Sequence, residues 1–102
     1  MILNIIDIII YGNPNMTQYE LTFLLPEKEE MKPVKDLLLA EKATIEKEEE
    51  WGEKTLAYPI KKNQTAYYFH WTIKIDDNRI NELRKKLNFI EKLLRYLLLK
   101  VD

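Results

Sequence analysis

The sequence predicts an α+β domain in which two helices cover one face of a four-stranded antiparallel sheet. The first observation is a strict alternation over residues 67–75, where aromatic and isoleucine side chains occupy every second position. The second is a pair of segments, after Pro26 and after Asp77, in which apolar residues recur at helical spacing. The third is the order of these segments: strand, helix, strand, strand, helix, strand. A chain of 102 residues suits one such domain and is too short for two.

The first strand is predicted over residues 17–25, because apolar and polar residues alternate there with the two-residue period of a half-buried strand. The positions expected on the buried face are Thr17, Tyr19, Leu21, Phe23 and Leu25, and those expected on the other face are Gln18, Glu20 and Thr22.

The first helix is predicted within residues 26–43, where one apolar stripe is formed by Met31, Val34, Leu37 and Leu38. Pro33 is expected near the start of the regular helix, since the missing N–H of proline costs least there. Acidic residues crowd the same end of the segment, as the helix dipole favours.

The middle of the chain predicts two long strands. The second strand should run from Thr44 to Ile60 with a bulge or bend at Gly52, whose backbone freedom suits one. Pro59 cannot donate a ladder hydrogen bond and fits a strand edge, and a turn is expected over residues 61–65. In the third strand, the predicted core set is Tyr67, Phe69, Trp71, Ile73 and Ile75, with Tyr68, His70, Thr72 and Lys74 on the opposite face.

The last third of the chain predicts a helix followed by a strand. Asp76 or Asp77 should cap the helix, and Ile80, Leu83 and Leu87 form its buried stripe. The final strand is predicted from Leu93 to Val101, and both of its faces are rich in leucine. One of these apolar sets must lie outside the core, on a surface that a protein partner could cover.

This order of elements is that of the ferredoxin-like split βαβ fold, βαββαβ, with both helices on one face of the sheet. Right-handed crossovers would place the first and third strands in the centre and the second and fourth at the edges. The face of the sheet opposite the helices should then be open.

The composition argues against an enzyme. Cysteine and serine are absent and His70 is the only histidine, so thiolate catalysis, serine triads, and cysteine-rich or histidine-rich metal sites are excluded. The acidic run at residues 46–50 is better explained as a solvated strand edge, since alternate members project to opposite faces. Gly12 and Gly52 are isolated, so the sequence has no glycine-rich phosphate loop. We therefore predict no catalytic residues, no cofactor, no metal and no small-molecule substrate.

The first fifteen residues differ in kind from the rest. They are rich in isoleucine, contain no Lys or Arg, and end in Gly-Asn-Pro-Asn. They resemble neither a signal peptide nor a membrane-spanning helix, which needs about 20 apolar residues. We expect residues 1–15 to be a poorly ordered extension or to precede a native start at Met16, and residues 16–102 to form the domain. The alternative is a genuine extension that adds an edge strand or docks on a partner.

The charge distribution is uneven although the net charge is only −1. Residues 16–50 hold five Lys and ten acidic residues, whereas residues 51–102 hold eleven Lys or Arg and six acidic residues. Exposed cations beside aromatic rings are the ingredients with which proteins contact RNA phosphates, sugars and bases. The predicted RNA-binding residues are Lys54, Tyr58, Lys61, Lys62, Arg95 and Lys100, and Tyr96 and Leu98 are the predicted partner surface. Each of them also has an ordinary interpretation, as a packing residue or a solvated charge.

Four sequence blocks carry a family resemblance. They are YELTF from Tyr19, the pair Trp51-Gly52, LAYPIKK from Leu56, and LRYL from Leu94. In this order and spacing they resemble the ribosomal small-subunit protein six family of bacteria and organelles, over nearly all of residues 16–102.

The resemblance implies a structural role in the small ribosomal subunit, in the cytoplasm or in an organelle. It further implies joint binding of 16S ribosomal RNA with small-subunit ribosomal protein eighteen, and no membrane association. Two alternatives remain open from the residues alone. One is a small ligand-sensing or oligomerising ferredoxin-like module, and the other is an acylphosphatase-like enzyme, against which the acidic residues after Pro26 argue.

Overall fold

The computed structural model describes residues 16–101, so the predicted extension at residues 1–15 lies outside the described part of the chain. The described residues form strand β1 (Met16–Leu25), helix α1 (Met31–Ala40), strands β2 (Thr44–Ile60) and β3 (Asn63–Asp76), helix α2 (Ile80–Asn88) and strand β4 (Arg95–Lys100). Short 3₁₀ turns precede both helices. The predicted element order is therefore confirmed.

The four strands form one antiparallel sheet in the order β2-β3-β1-β4. As predicted, β1 and β3 are central and β2 and β4 lie at the edges. The helix-covered face of β1 and β3 holds most of the core, and the predicted alternation of both strands is confirmed. The largest buried side chains include Trp71, Phe23, Leu21, Leu25, Ile73 and Ile75, with Val34 and Leu38 from α1 and Leu83 and Leu87 from α2.

Gly52 forms the predicted irregularity in β2. Its φ is +83°, a left-handed value that glycine adopts without steric cost, and the pairing register of β2 with β3 shifts between Glu50 and Gly52. The extra residue at this bulge is Trp51, which stacks on His70 and lies on the face of the sheet opposite the helices. We call that face, not covered by α1 and α2, the open face.

Two boundaries differ from the predictions by two residues or more. The β2–β3 connection is only the pair Lys61-Lys62, with φ of +48° and +69°, so β3 begins at Asn63 and the predicted turn over 61–65 is too long. Strand β4 starts at Arg95 rather than Leu93, because the chain from Ile90 to Leu94 is irregular. Leu93 is thereby free to turn inward and is 5% exposed.

A buried carboxylate joins the ends of the two helices. Glu41, directly after α1, is 4% exposed. Its Oε1 lies 2.8 Å from Lys86 Nζ on α2, and its Oε2 lies 3.6 Å from the Arg79 guanidinium just before that helix. Two cations thus balance the charge that burial would otherwise make costly.

Candidate nucleic-acid interface

Tyr58 and Arg95 form an aromatic and cationic pair at one end of the sheet. Between the paired positions Thr55 and Ile60, β2 makes a wide excursion that contains Tyr58 and Pro59. Arg95 begins β4 opposite Leu24, on the open face, and its guanidinium lies 5.6 Å from the centre of the Tyr58 ring. At this distance the cation is attracted to the ring, which nevertheless remains 58% exposed. The structure therefore brings together two predicted site residues that are far apart in sequence.

The ammonium group of Lys61 is hydrogen-bonded to the backbone in this region. Its ammonium donates to the backbone carbonyl of Glu91 at 3.3 Å and to that of Leu93 at 3.2 Å. Both carbonyls lie in the connection between α2 and β4, so Lys61 ties the tip of the β2–β3 hairpin to the start of β4. The side chain orders the site rather than offering a free cation to a ligand.

The two remaining lysines of the β2–β3 hairpin are both exposed. Lys54 pairs in register with Ala66, two residues along β3 from Tyr68, and therefore projects from the open face. Lys62 is the second residue of the hairpin turn and is exposed. The candidate interface consequently consists of Lys54, Tyr58, Lys62 and Arg95, with Lys61 in support.

Lys100 lies elsewhere. It pairs with Tyr19 at the opposite end of β4, on the helix-covered face, and its ammonium is 3.5 Å from Asp77 Oδ2. Asp77 also accepts a hydrogen bond from the Tyr19 hydroxyl. This bond lowers the pKa of Asp77, and burial followed by the same bond raises the pKa of Tyr19 to about 12. Lys100 therefore belongs to a separate polar cluster and is not part of the surface around Arg95.

The predicted partner surface needs a correction. Leu98 is 4% exposed because it pairs with Leu21 and points into the core, so it offers no surface to another protein. Tyr96 points the same way, and its hydroxyl donates to Asn88 Oδ1 of α2 at 3.0 Å. The exposed leucines of β4 are Leu97 and Leu99, at 55% and 52%.

Leu97 and Leu99 share the open face with a polar and aromatic row that the sequence did not single out as a site. Trp51 stacks on His70 with ring centres 4.9 Å apart and planes inclined by 13°. His70 Nδ1 in turn shares a 2.8 Å hydrogen bond with the Thr22 hydroxyl, which is opposite Leu97. The signal in the sequence is the two-residue spacing of Glu49 and Trp51 in β2, which puts both side chains on the face of His70.

Other kinds of site find little support in the described part of the chain. Residues 16–101 hold no group of three or more histidines and acids placed to bind a metal ion. No helix in that range is long and apolar enough to cross a membrane. The segment after β1, where an acylphosphatase would bind phosphate, instead carries Glu27, Glu29 and Glu30, which would repel an anion.

Comparison with known proteins gives a consistent result. The family model described as Ribosomal protein S6 matches residues 18–100. Small ribosomal subunit protein bS6 of Fusobacterium nucleatum is 36% identical over 94 residues, covering 85% of this chain and all of that protein. The bS6 protein of Azobacteroides pseudotrichonymphae is 38% identical over 89 residues, covering 80% of each chain.

A solved structure shows the same fold. The crystal structure of 30S ribosomal protein S6 from Thermotoga maritima superposes with a TM-score of 0.73 at 21% identity, over 84% of this chain and 88% of that one.

Proposed function

This chain belongs to the ribosomal protein S6 family of small-subunit ribosomal proteins, and we propose that it binds 16S ribosomal RNA together with small-subunit ribosomal protein eighteen. Its relatives are small ribosomal subunit proteins. The RNA and the partner protein are the parts that we propose.

The observation that carries the RNA proposal is the Tyr58–Arg95 pair on the same face as Lys54, with Lys62 exposed in the turn of the same hairpin. Exposed cations neutralise phosphates, and an arginine that lies over a tyrosine ring is held in one orientation before RNA arrives. The tie from Lys61 to the carbonyls of Glu91 and Leu93 fixes the hairpin tip against β4. Such preorganisation lowers the ordering cost of binding.

The partner protein is proposed to cover the apolar part of the open face. Leu97 and Leu99 are half exposed on β4, and Trp51 is 47% exposed on β2 at the other edge. Two glutamates share this face: Glu20 is opposite Leu99, and Glu49 is opposite His70. This arrangement fits a partner that brings apolar and basic side chains, because the carboxylates would meet opposite charge.

The test is RNA binding by the chain with its partner, measured against salt concentration. A Lys54→Ala/Arg95→Ala variant should lose two phosphate contacts and thus about two units of the log–log salt slope. Lys85→Ala, which removes an exposed cation from α2, is the matched control and should leave the slope unchanged. Lys61 is left intact, since its loss would disturb the hairpin tip as well.

The proposal fails if the double variant binds the RNA–partner complex with the affinity and salt slope of the unaltered chain. Association with the small ribosomal subunit is tested independently by co-sedimentation. The tagged, unaltered chain should be found in the small-subunit fraction.

A further inference from the structure

A small recess opens beside Tyr58 on the open face. It has a volume of about 210 Å³, and its lining includes Leu24, Leu56, Ala57, Tyr58, Tyr68 and Arg95. Pockets for drug-sized ligands usually measure about 300–1,000 Å³, so this one admits only a single small group. We call this recess the aromatic slot.

The walls of the aromatic slot suit a flat ring. Tyr58 presents an exposed ring, and Tyr68, opposite Leu24 on β3, contributes a second phenol. Arg95 adds a planar guanidinium 5.6 Å from the Tyr58 ring centre. Aromatic and guanidinium planes are the surfaces on which proteins stack nucleobases that have left their helix.

We infer that the aromatic slot holds one unpaired nucleobase of a folded RNA. This rests on the proposed function and specifies which part of the RNA the site contacts. A base inside a duplex presents only its edge to a protein, so the nucleotide must be bulged or lie in a loop. Stacking on the tyrosine walls tolerates any base, since every base has a π face.

Charge favours a nucleobase over an aromatic side chain of a protein partner. A bulged nucleotide brings its own phosphates, Arg95 lines the slot, and Lys54 projects from the same face of the sheet. The apolar leucines Leu97 and Leu99 lie further along β4, opposite Thr22 and Glu20. The open face thus has a cationic end for the nucleotide and an apolar part for protein.

The inference is tested with two RNA hairpins that differ in one group. One carries a single bulged adenosine, and the other carries an abasic residue at the same position, so that both have the same phosphates. Fluorescence anisotropy should show the bulged hairpin bound about tenfold more tightly, the size of one base–aromatic stack. Tyr58→Leu should remove this difference between the two hairpins, whereas Tyr58→Phe, which keeps the aromatic ring, should retain it.

The remaining outcomes each have a definite meaning. Equal affinity of the unaltered chain for the two hairpins would overturn the inference and leave the proposed function standing as phosphate contact alone. N-acetyltyrosinamide serves as a probe for an aromatic side chain of a protein. If it changed the NMR chemical shifts of the Tyr58 and Tyr68 rings and the bulged hairpin did not, the slot would be assigned to a protein partner and the inference would be overturned. Absence of the unaltered chain from small subunits would instead count against the proposed function.

Discussion

The two tryptophans of this chain lie on opposite faces of one sheet, and one is buried while the other is half exposed. Trp71 is 1% exposed on the helix-covered face, edge-on to Phe23 with ring centres 4.9 Å apart. Trp51 is 47% exposed on the open face, stacked on His70, and its Nε1 donates to Glu49 at 3.2 Å. The difference teaches that aromatic residues on one face stabilise the core, while Trp51 on the other face leaves about half of its surface open to solvent.

The largest expected effect comes from exchanging each tryptophan for alanine. Trp71→Ala should lower the free energy of unfolding by about 3–5 kcal/mol, since it opens a cavity in the closed core. Trp51→Ala should cost less than about 1 kcal/mol, because its ring is already half solvated. Urea denaturation of the two variants gives both values. Equal losses would break the comparison.

Two neighbouring leucines on β4 sharpen the comparison between the two faces of the sheet. Leu98→Ala should cost about 2–4 kcal/mol of stability, as for a buried leucine, whereas Leu97→Ala should stay within about 0.5 kcal/mol. Binding to small-subunit ribosomal protein eighteen should show the reverse order, with Leu97→Ala weaker than Leu98→Ala when calorimetry is done at a temperature where both are folded. A partner affinity unaffected by Leu97→Ala would place the interface elsewhere.

Gly52 forms the bulge in β2 directly after Trp51. A Cβ at this position would meet no atom within 4 Å, so Gly52→Ala introduces only the strain of a left-handed backbone, about 1 kcal/mol. Thermal denaturation measures the loss. Trp51 fluorescence should also shift if the bulge relaxes, and an unchanged melting temperature would show that Gly52 is not needed for the bulge.

A further effect is confined to alkaline pH. The folded chain raises the pKa of Tyr19 to about 12 from an ordinary value of 10, so it holds the hydroxyl proton more tightly than the unfolded chain. The resulting stabilisation is complete below pH 10 and is lost as the pH rises through 12. Tyr19→Phe should therefore lose less stability than the unaltered chain between pH 10 and 12. Parallel stability curves over that interval would contradict this assignment.

Much of the fold could be predicted because β1 and β3 keep a clear two-residue alternation. In β4 the leucines occupy both faces, so periodicity could not decide which set is buried. The pairing of Leu98 with Leu21 decides it, and this is a contact between distant parts of the chain. The same limit explains why Leu98 was wrongly expected on the partner surface.

The candidate site was only partly predictable for a related reason. The residue types were visible in LAYPIKK and LRYL, but the sequence gives no sign that Arg95 lies over Tyr58 while Lys100 faces the other side. The turn was misjudged because Lys61 and Lys62 both adopt positive φ, for which two-residue hairpins prefer Asn or Gly. The carbonyls of Glu91 and Leu93, which hold Lys61, compensate for that choice.

The carboxylate of Glu41 has a practical consequence in a chain without cysteine. The carboxylate itself is buried, and its oxygen lies 2.8 Å from Lys86 Nζ, within the screening length of about 3 Å that 1 M salt imposes on solvated charges. Concentrated salt should therefore strip the protein from a ribosome while leaving the helices clamped. The chain could be washed off, desalted and returned to a depleted particle without ever being unfolded.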